Sequence, residues 1–248
     1  MAARFFKFGL IVTGEGEAKF LPVLLRSLTA AGDCHFRVLR KIDQRSPRTS
    51  PKRVLRVTGT TRRIPDKDEH EIGLPARRHL DSDRDALVLV IDDLERARRG
   101  EHRAVFMRYR EALDGVLGAH YTRASVHFLI NMLEAYYFAD ARAIREVLGI
   151  AVEDHVGDVE MIGHPKNKLK QMAAGFDEIR HGAQIVAHID LAHILQDSST
   201  CGSLRVLVAW CLQQIGQPRG TRFALSLGAL DVVTGPQLGS ARTSLAGL

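Results

Sequence analysis

Apolar positions along the chain follow two rhythms. Short apolar-rich stretches at residues 8–12, 35–42, 86–91 and 125–130 read as strands. The run 86–91 (Ala-Leu-Val-Leu-Val-Ile) has no polar interruption, as expected of a strand buried on both faces of a parallel sheet. Between and after these runs the spacing changes to three and four. Phe20, Leu21, Leu24, Leu25 and Leu28 form one helical stripe. Val105, Phe106, Tyr109, Leu113, Val116 and Leu117 form a second. Ile185, Ile189, Ala192 and Leu195 form a third, and Leu204, Val208, Cys211, Leu212 and Ile215 a fourth, with Ser203 as a cap and Gly216 as a stop. Asn131 to Phe138 reads as a helix start, Asp140 caps a stretch ending near Gly149, and Pro165 suits a first helical position. Strands alternating with helices predict an α/β fold: a mostly parallel sheet flanked by helices, with a C-terminal helical portion packed on it. The expected division is an α/β domain over 1–150, a helical portion over 151–216 and a loosely packed or disordered tail over 217–248.

One stretch breaks the pattern. Residues 44–63 contain Arg45, Arg48, Lys52, Arg53, Arg56, Arg62 and Arg63 and no acid, punctuated by Pro47, Pro51 and Gly59. With the charge-alternating loop expected over 65–71, it opens a basic excursion from the sheet spanning 44–82. Two readings stand: a surface for nucleic-acid phosphates, or a solvated hairpin. A net charge of +6 permits a polyanionic partner without requiring one. No apolar run approaches the roughly 20 residues of a membrane helix. Cys34, Cys201 and Cys211 form no CxxC pair, and with no signal-like segment a reducing cytoplasm is expected.

Candidate chemistry sits where strands end. The first strand runs into Thr13-Gly14-Glu15-Gly16-Glu17, and the central one into Asp92-Asp93-Leu94-Glu95. In open α/β sheets ligands bind beyond the carboxyl ends of the strands. Glu15, Glu17, Asp92, Asp93 and Glu95 are therefore the expected ligands of Mg²⁺ or Mn²⁺, since hard cations take oxygen donors. Glu15 or Glu17 would also transfer a proton, and Glu134, directly after a strand, is a further candidate. His164 and Lys166, at a helix start, would contact phosphate. The plainer reading is of helix caps and solvated strand ends. Convergence of the carboxylates separates the two, and pairing of these acids with Arg96 or Arg98 would count against a metal site.

Four stretches carry a resemblance: Gly14-Glu-Gly-Glu-Ala-Lys-Phe-Leu-Pro, Val90-Ile-Asp-Asp-Leu-Glu, Met132-Leu-Glu-Ala-Tyr-Tyr-Phe-Ala-Asp and His164-Pro-Lys-Asn-Lys-Leu-Lys. In this order they resemble the TOPRIM-like DUF4276 family of bacterial proteins, over roughly residues 8–215. The resemblance implies a TOPRIM-like sheet and metal-dependent nuclease activity of a kind associated with bacterial defence, with a protein partner encoded nearby as a further expectation. TOPRIM turns usually read Glu-Gly-x-x-Glu, and Thr13 stands at the first Glu. Either Glu15 has taken that role or the site is degenerate. The alternatives are then a nucleic-acid-binding or protein-partner module with a residual acidic cluster, or a phosphohydrolase acting on a small substrate.

Overall fold

The computed structural model describes residues 4–30, 33–46, 50, 64–197 and 199–215. Its centre is a four-stranded, all-parallel sheet in the order β2-β1-β3-β4. β1 is Phe6–Val12, β2 Cys34–Lys41, β3 Ala86–Leu94 and β4 Ala124–Ile130. β3 and β4 are buried along their whole length, which is why they read as continuous apolar runs. α1 (Glu15–Leu24) and α2 (Arg26–Thr29) connect β1 to β2. α3 (Leu74–Ser82) precedes β3, and α4 (His102–Leu117) connects β3 to β4.

Strand alternation splits the core in two. Leu87, Leu89 and Ile91 face a cluster shared with α1 and the C-terminal helices. Ala86, Val88, Val90 and Leu94 face the other, with Val105, Phe106, Tyr109 and Leu113 of α4. The C-terminal helices are α5 (Ala141–Leu148), α6 (Pro165–Met172), α7 (Arg180–His188), α8 (Leu191–Ile194) and α9 (Gly202–Ile215). Trp210 of α9 lies edge-on to Phe8 of β1 and to His127 of β4, tying this portion to the sheet.

Several elements differ from expectation, each for a local reason. The chain from Lys67 is helical, through a π-helical turn at Glu69–Gly73 into α3. Asp66 and Glu69 make a reciprocal capping box: Glu69 N donates to Asp66 Oδ1 and Asp66 N to Glu69 Oε2, both at 2.9 Å. The stretch 185–195 is two helices, because Asp190 accepts from the amides of Ala192 and His193 and starts α8 afresh. Ser203 lies inside α9 and not at its cap, hydrogen-bonded to Glu160 and Tyr136. Asp140 precedes α5, but its carboxylate accepts from Asp190 N, while Asp154 takes the Ala141 amide. β3 runs three residues beyond Ile91, paired to β4 as far as Leu94–Ile130. No helix among the described residues is long and apolar enough to cross a membrane. The tail expected over 217–248 lies outside the described residues.

Candidate functional site

The strand order reverses between β1 and β3, so the crevice beyond their carboxyl ends is the expected ligand position of this sheet. Thr13, the first residue after β1, stitches the two ends together. Its Oγ1 donates to Asp92 Oδ1 at 3.0 Å and accepts from Asp93 N at 3.1 Å.

The two aspartates lie inside β3, and consecutive strand residues point to opposite faces. Asp92 faces α4 and is fully buried. Arg98 grips it bidentately, Nη1 to Oδ1 at 3.0 Å and Nη2 to Oδ2 at 2.6 Å. Tyr109 donates to Oδ2 at 2.8 Å, and Thr13 supplies the fourth donor. A carboxylate offers about four lone-pair sites, and all are taken here. Arg98 also donates to the carbonyls of Asp93 and Arg45. Asp92 is thus a structural counter-ion with no lone pair left for a metal, contrary to the metal-ligand expectation.

Asp93 faces the other way, toward α1 and the turn after β4. Its Oδ1 accepts from Met132 N at 2.9 Å. That amide points back because Asn131 and Met132 hold φ of 66° and 76°. Such a conformation costs a methionine on the order of 1–3 kcal/mol, a strain typical of functional turns. Burial holds the Asp93 carboxyl well above its ordinary pKa, and the charges of Glu17, Asp92 and Glu95 push it the same way. Glu17 rises to about 7, first through burial and then through the charges of Glu134 and Asp92, against a lowering pull from Lys166. Glu134, on a 3₁₀ turn at Leu133–Ala139, is raised by burial and lowered by Lys166. Lys166 Nζ lies 3.9 Å from Glu134 Oε1 and 2.9 Å from Glu178 Oε2. Glu17 and Asp93 are therefore buried acids, and Glu134 is a partly buried one. The field of Glu17 reaches Asp93, that of Glu134 reaches Glu17, and Lys166 is a cation acting on all three.

Gly14 makes the Glu17 position possible. A methyl at Gly14 would sit 1.7 Å from Glu17 Oε2, so the carboxylate occupies the space that any other residue's Cβ would fill.

Other expected residues are placed elsewhere. Glu15 lies half exposed on α1, paired with Lys41 at 2.7 Å and Lys19 at 3.3 Å. Those ion pairs hold it below the ordinary carboxylate range. Glu95, one residue past β3, is partly exposed and adds only its field to Asp93. Among the described residues no three carboxylate, imidazole or thiol groups gather as a metal-binding set, so the expected five-carboxylate site is not assembled. Arg45 is a correction too. It is 1% exposed and paired with Asp68 at 2.7 Å and with Glu71, so it is a buried structural cation unable to reach a phosphate backbone. Arg48, Lys52, Arg53, Arg56, Arg62 and Arg63 lie outside the described residues. His164 is exposed in the left-handed conformation before α6, and Lys166 is on the first turn of that helix.

Sequence reasoning missed Tyr109, which shares Asp92, and Glu178, which shares Lys166. It also missed Tyr137, whose buried hydroxyl has no hydrogen-bond partner. Its signal was available: Tyr137 stands three positions from Glu134.

No curated protein and no solved structure matches the chain. Residues 12–207 match the model of a family described as a domain of unknown function, DUF4276, a range that runs from the end of β1 through β2, β3, β4 and the acidic residues into the first half of α9.

Proposed function

The chain belongs to the DUF4276 family, and from that premise we propose that it is a metal-dependent nuclease cleaving nucleic-acid phosphodiesters in a TOPRIM-like arrangement, on a reduced acid pair of Glu17 and Asp93. The observation that carries this reading is the burial of Glu17 and Asp93 at the switch point of a parallel sheet, with the partly buried Glu134 and Lys166 acting on that site and the pKa values of all three acids raised. Burial and like charge raise acids in this way when a counter-ion is due, and perturbed acids cluster at functional sites.

The donor chemistry fits a hard divalent cation. Mg²⁺ is commonly bound through one or two carboxylates, with water and substrate phosphate completing its shell. That requirement is met without Asp92, Glu15 or Glu95. Glu17 and Asp93 would hold the ion, with Glu134 next to them. Bound there, it would neutralise charge on the phosphodiester. Lys166 would place a second positive charge on the phosphate. Glu15, engaged by two lysines, leaves Glu17 as the proton-transfer glutamate. Bacterial defence is the setting that the family resemblance suggests.

The saturated Asp92 and the Thr13 contact favour a second reading, a catalytically degenerate nucleic-acid-binding or protein-partner module. One assay separates them: cleavage of plasmid, single-stranded DNA and RNA with Mg²⁺ and then Mn²⁺. Activity lost in Glu17→Ala and Asp93→Ala and kept in Glu15→Ala is the expected result. Folded protein that cleaves nothing hands the chain to the second reading. Gly14→Ala adds a sharper check, since it displaces the Glu17 carboxylate without deleting it. It is expected to weaken Mn²⁺ binding at least tenfold by calorimetry while circular dichroism is unchanged.

A further inference from the structure

Two adjacent tyrosines follow Glu134, and their hydroxyls are treated very differently. The Tyr136 hydroxyl meets Ile130 N at 3.1 Å, Ser203 Oγ at 2.7 Å and Glu160 Oε1 at 3.0 Å. The Tyr137 hydroxyl is just as deeply buried, at 1% exposure for the residue, and meets no partner. Buried hydroxyls nearly always find a partner, and a phenylalanine would fill the same volume without a polar atom to satisfy.

The position of this orphan is informative. In a 3₁₀ turn residues three apart eclipse, so Glu134 and Tyr137 project from the same edge of Leu133–Ala139. A methyl on Gly182 of α7 would lie 3.4 Å from the Tyr137 hydroxyl and 3.2 Å from the Phe20 ring. The hydroxyl therefore lies where α7 passes over α1, beside the residue one turn beyond Glu17. The charges that reach the phenol are those of Glu134 and Glu17, and they add to the burial that raises its pKa well above the ordinary value. An O–H donor with no acceptor stands within the field of two carboxylates whose pKa values are raised by burial.

We propose that Tyr137 is a positioning residue of the cation site, its hydroxyl donating to a water ligand of a divalent ion held beside Glu17 and Glu134. This rests on the metal-dependent reading above and adds a residue to it. A water there would have three polar partners in Tyr137, Glu17 and Glu134, the number buried waters usually have. Partners that act through a metal's own ligands typically contribute 10- to 100-fold in affinity.

The test is calorimetric titration of Mn²⁺ into the full-length, metal-free protein and its Tyr137→Phe variant, with thermal melts of both in chelator. The expected result is binding at least tenfold weaker in Tyr137→Phe, with a chelator Tm equal to or above that of the unaltered protein. Equal Mn²⁺ affinity in the two overturns the role of Tyr137 and leaves the cation site standing. A variant that melts lower, whatever its affinity, makes Tyr137 an ordinary core residue and also overturns the proposal. Absence of Mn²⁺ binding to the unaltered protein overturns both this proposal and the metal-dependent reading beneath it.

Discussion

Arg98→Ala is expected to destabilise the protein by about 3–5 kcal/mol, because it leaves a fully buried carboxylate with no counter-charge. Natural domains have only about 5–15 kcal/mol in hand, so the variant should unfold at markedly lower urea or fail to accumulate. The source of the loss is identifiable. Arg98 supplies two of the four donors on Asp92 and also closes onto the carbonyls of Asp93 and Arg45. Tyr109 and Thr13 remain in the variant, but neither carries charge. Asp92→Asn in the same background removes the unpaired charge, so the double variant should regain more than half of the loss. Arg98→Lys should recover little, since an ammonium does not reproduce the two-pronged contact. A urea series on the four proteins measures this. An Arg98→Ala protein within about 1 kcal/mol of the unaltered one would show that Asp92 finds another cation.

The same ion pair shows what was legible in the sequence and what was not. The apolar runs of β1, β3 and β4 and the stripes of α1, α4 and α9 were readable because burial on both faces of a sheet leaves a nearly continuous apolar run and burial of one helix face imposes a period of 3.6. The chemistry at the strand ends was readable as position, since acids beyond a buried run in an α/β pattern fall at the sheet's carboxyl edge. Its assignment to one shared site was not. That depended on where β3 stops: with pairing to β4 continuing to Leu94, alternation sends Asp92 and Asp93 to opposite faces. Arg45 was read as a phosphate contact because its neighbours in sequence are basic. Its partners Asp68 and Glu71 lie 23 and 26 positions away, in a stretch that looked like a loop. Local charge runs do not report long-range pairing. The capping box at Asp66 and Glu69 was available as a motif, but alternating charge concealed it. In the sequence only the three-residue spacing from Glu134 sets Tyr137 apart from Tyr136, and spacing does not say which of the two hydroxyls is satisfied.

In chelator, the protein is expected to lose stability as pH rises from about 4.5 to about 7, and Glu17→Gln is expected to remove much of that loss. Glu17 releases its proton near 4.5 when unfolded and near 7 when folded. Between those values the unfolded chain binds fewer protons than the native one, so raising the pH favours unfolding. The stability present below pH 4.5 is lost through this window and stays lost above it, by about 3 kcal/mol at most for a shift of this size. Asp93 and Glu134, also raised by burial, act in the same direction. Glu17→Gln keeps the shape and discards the charge, so it should match the unaltered protein at pH 4.5 and exceed it at pH 8. A divalent cation supplies the missing counter-charge by another route. Mn²⁺ should therefore stabilise the unaltered protein at pH 8, and do so far less in Glu17→Gln. Denaturant titrations at pH 4.5, 6, 7 and 8, with chelator and with Mn²⁺, read both effects. A stability that is flat across this range in chelator, or a glutamine variant weaker than the unaltered protein at pH 8, would mean that the Glu17 carboxylate already has its counter-ion in the fold, and that the acids around it are not waiting for a cation.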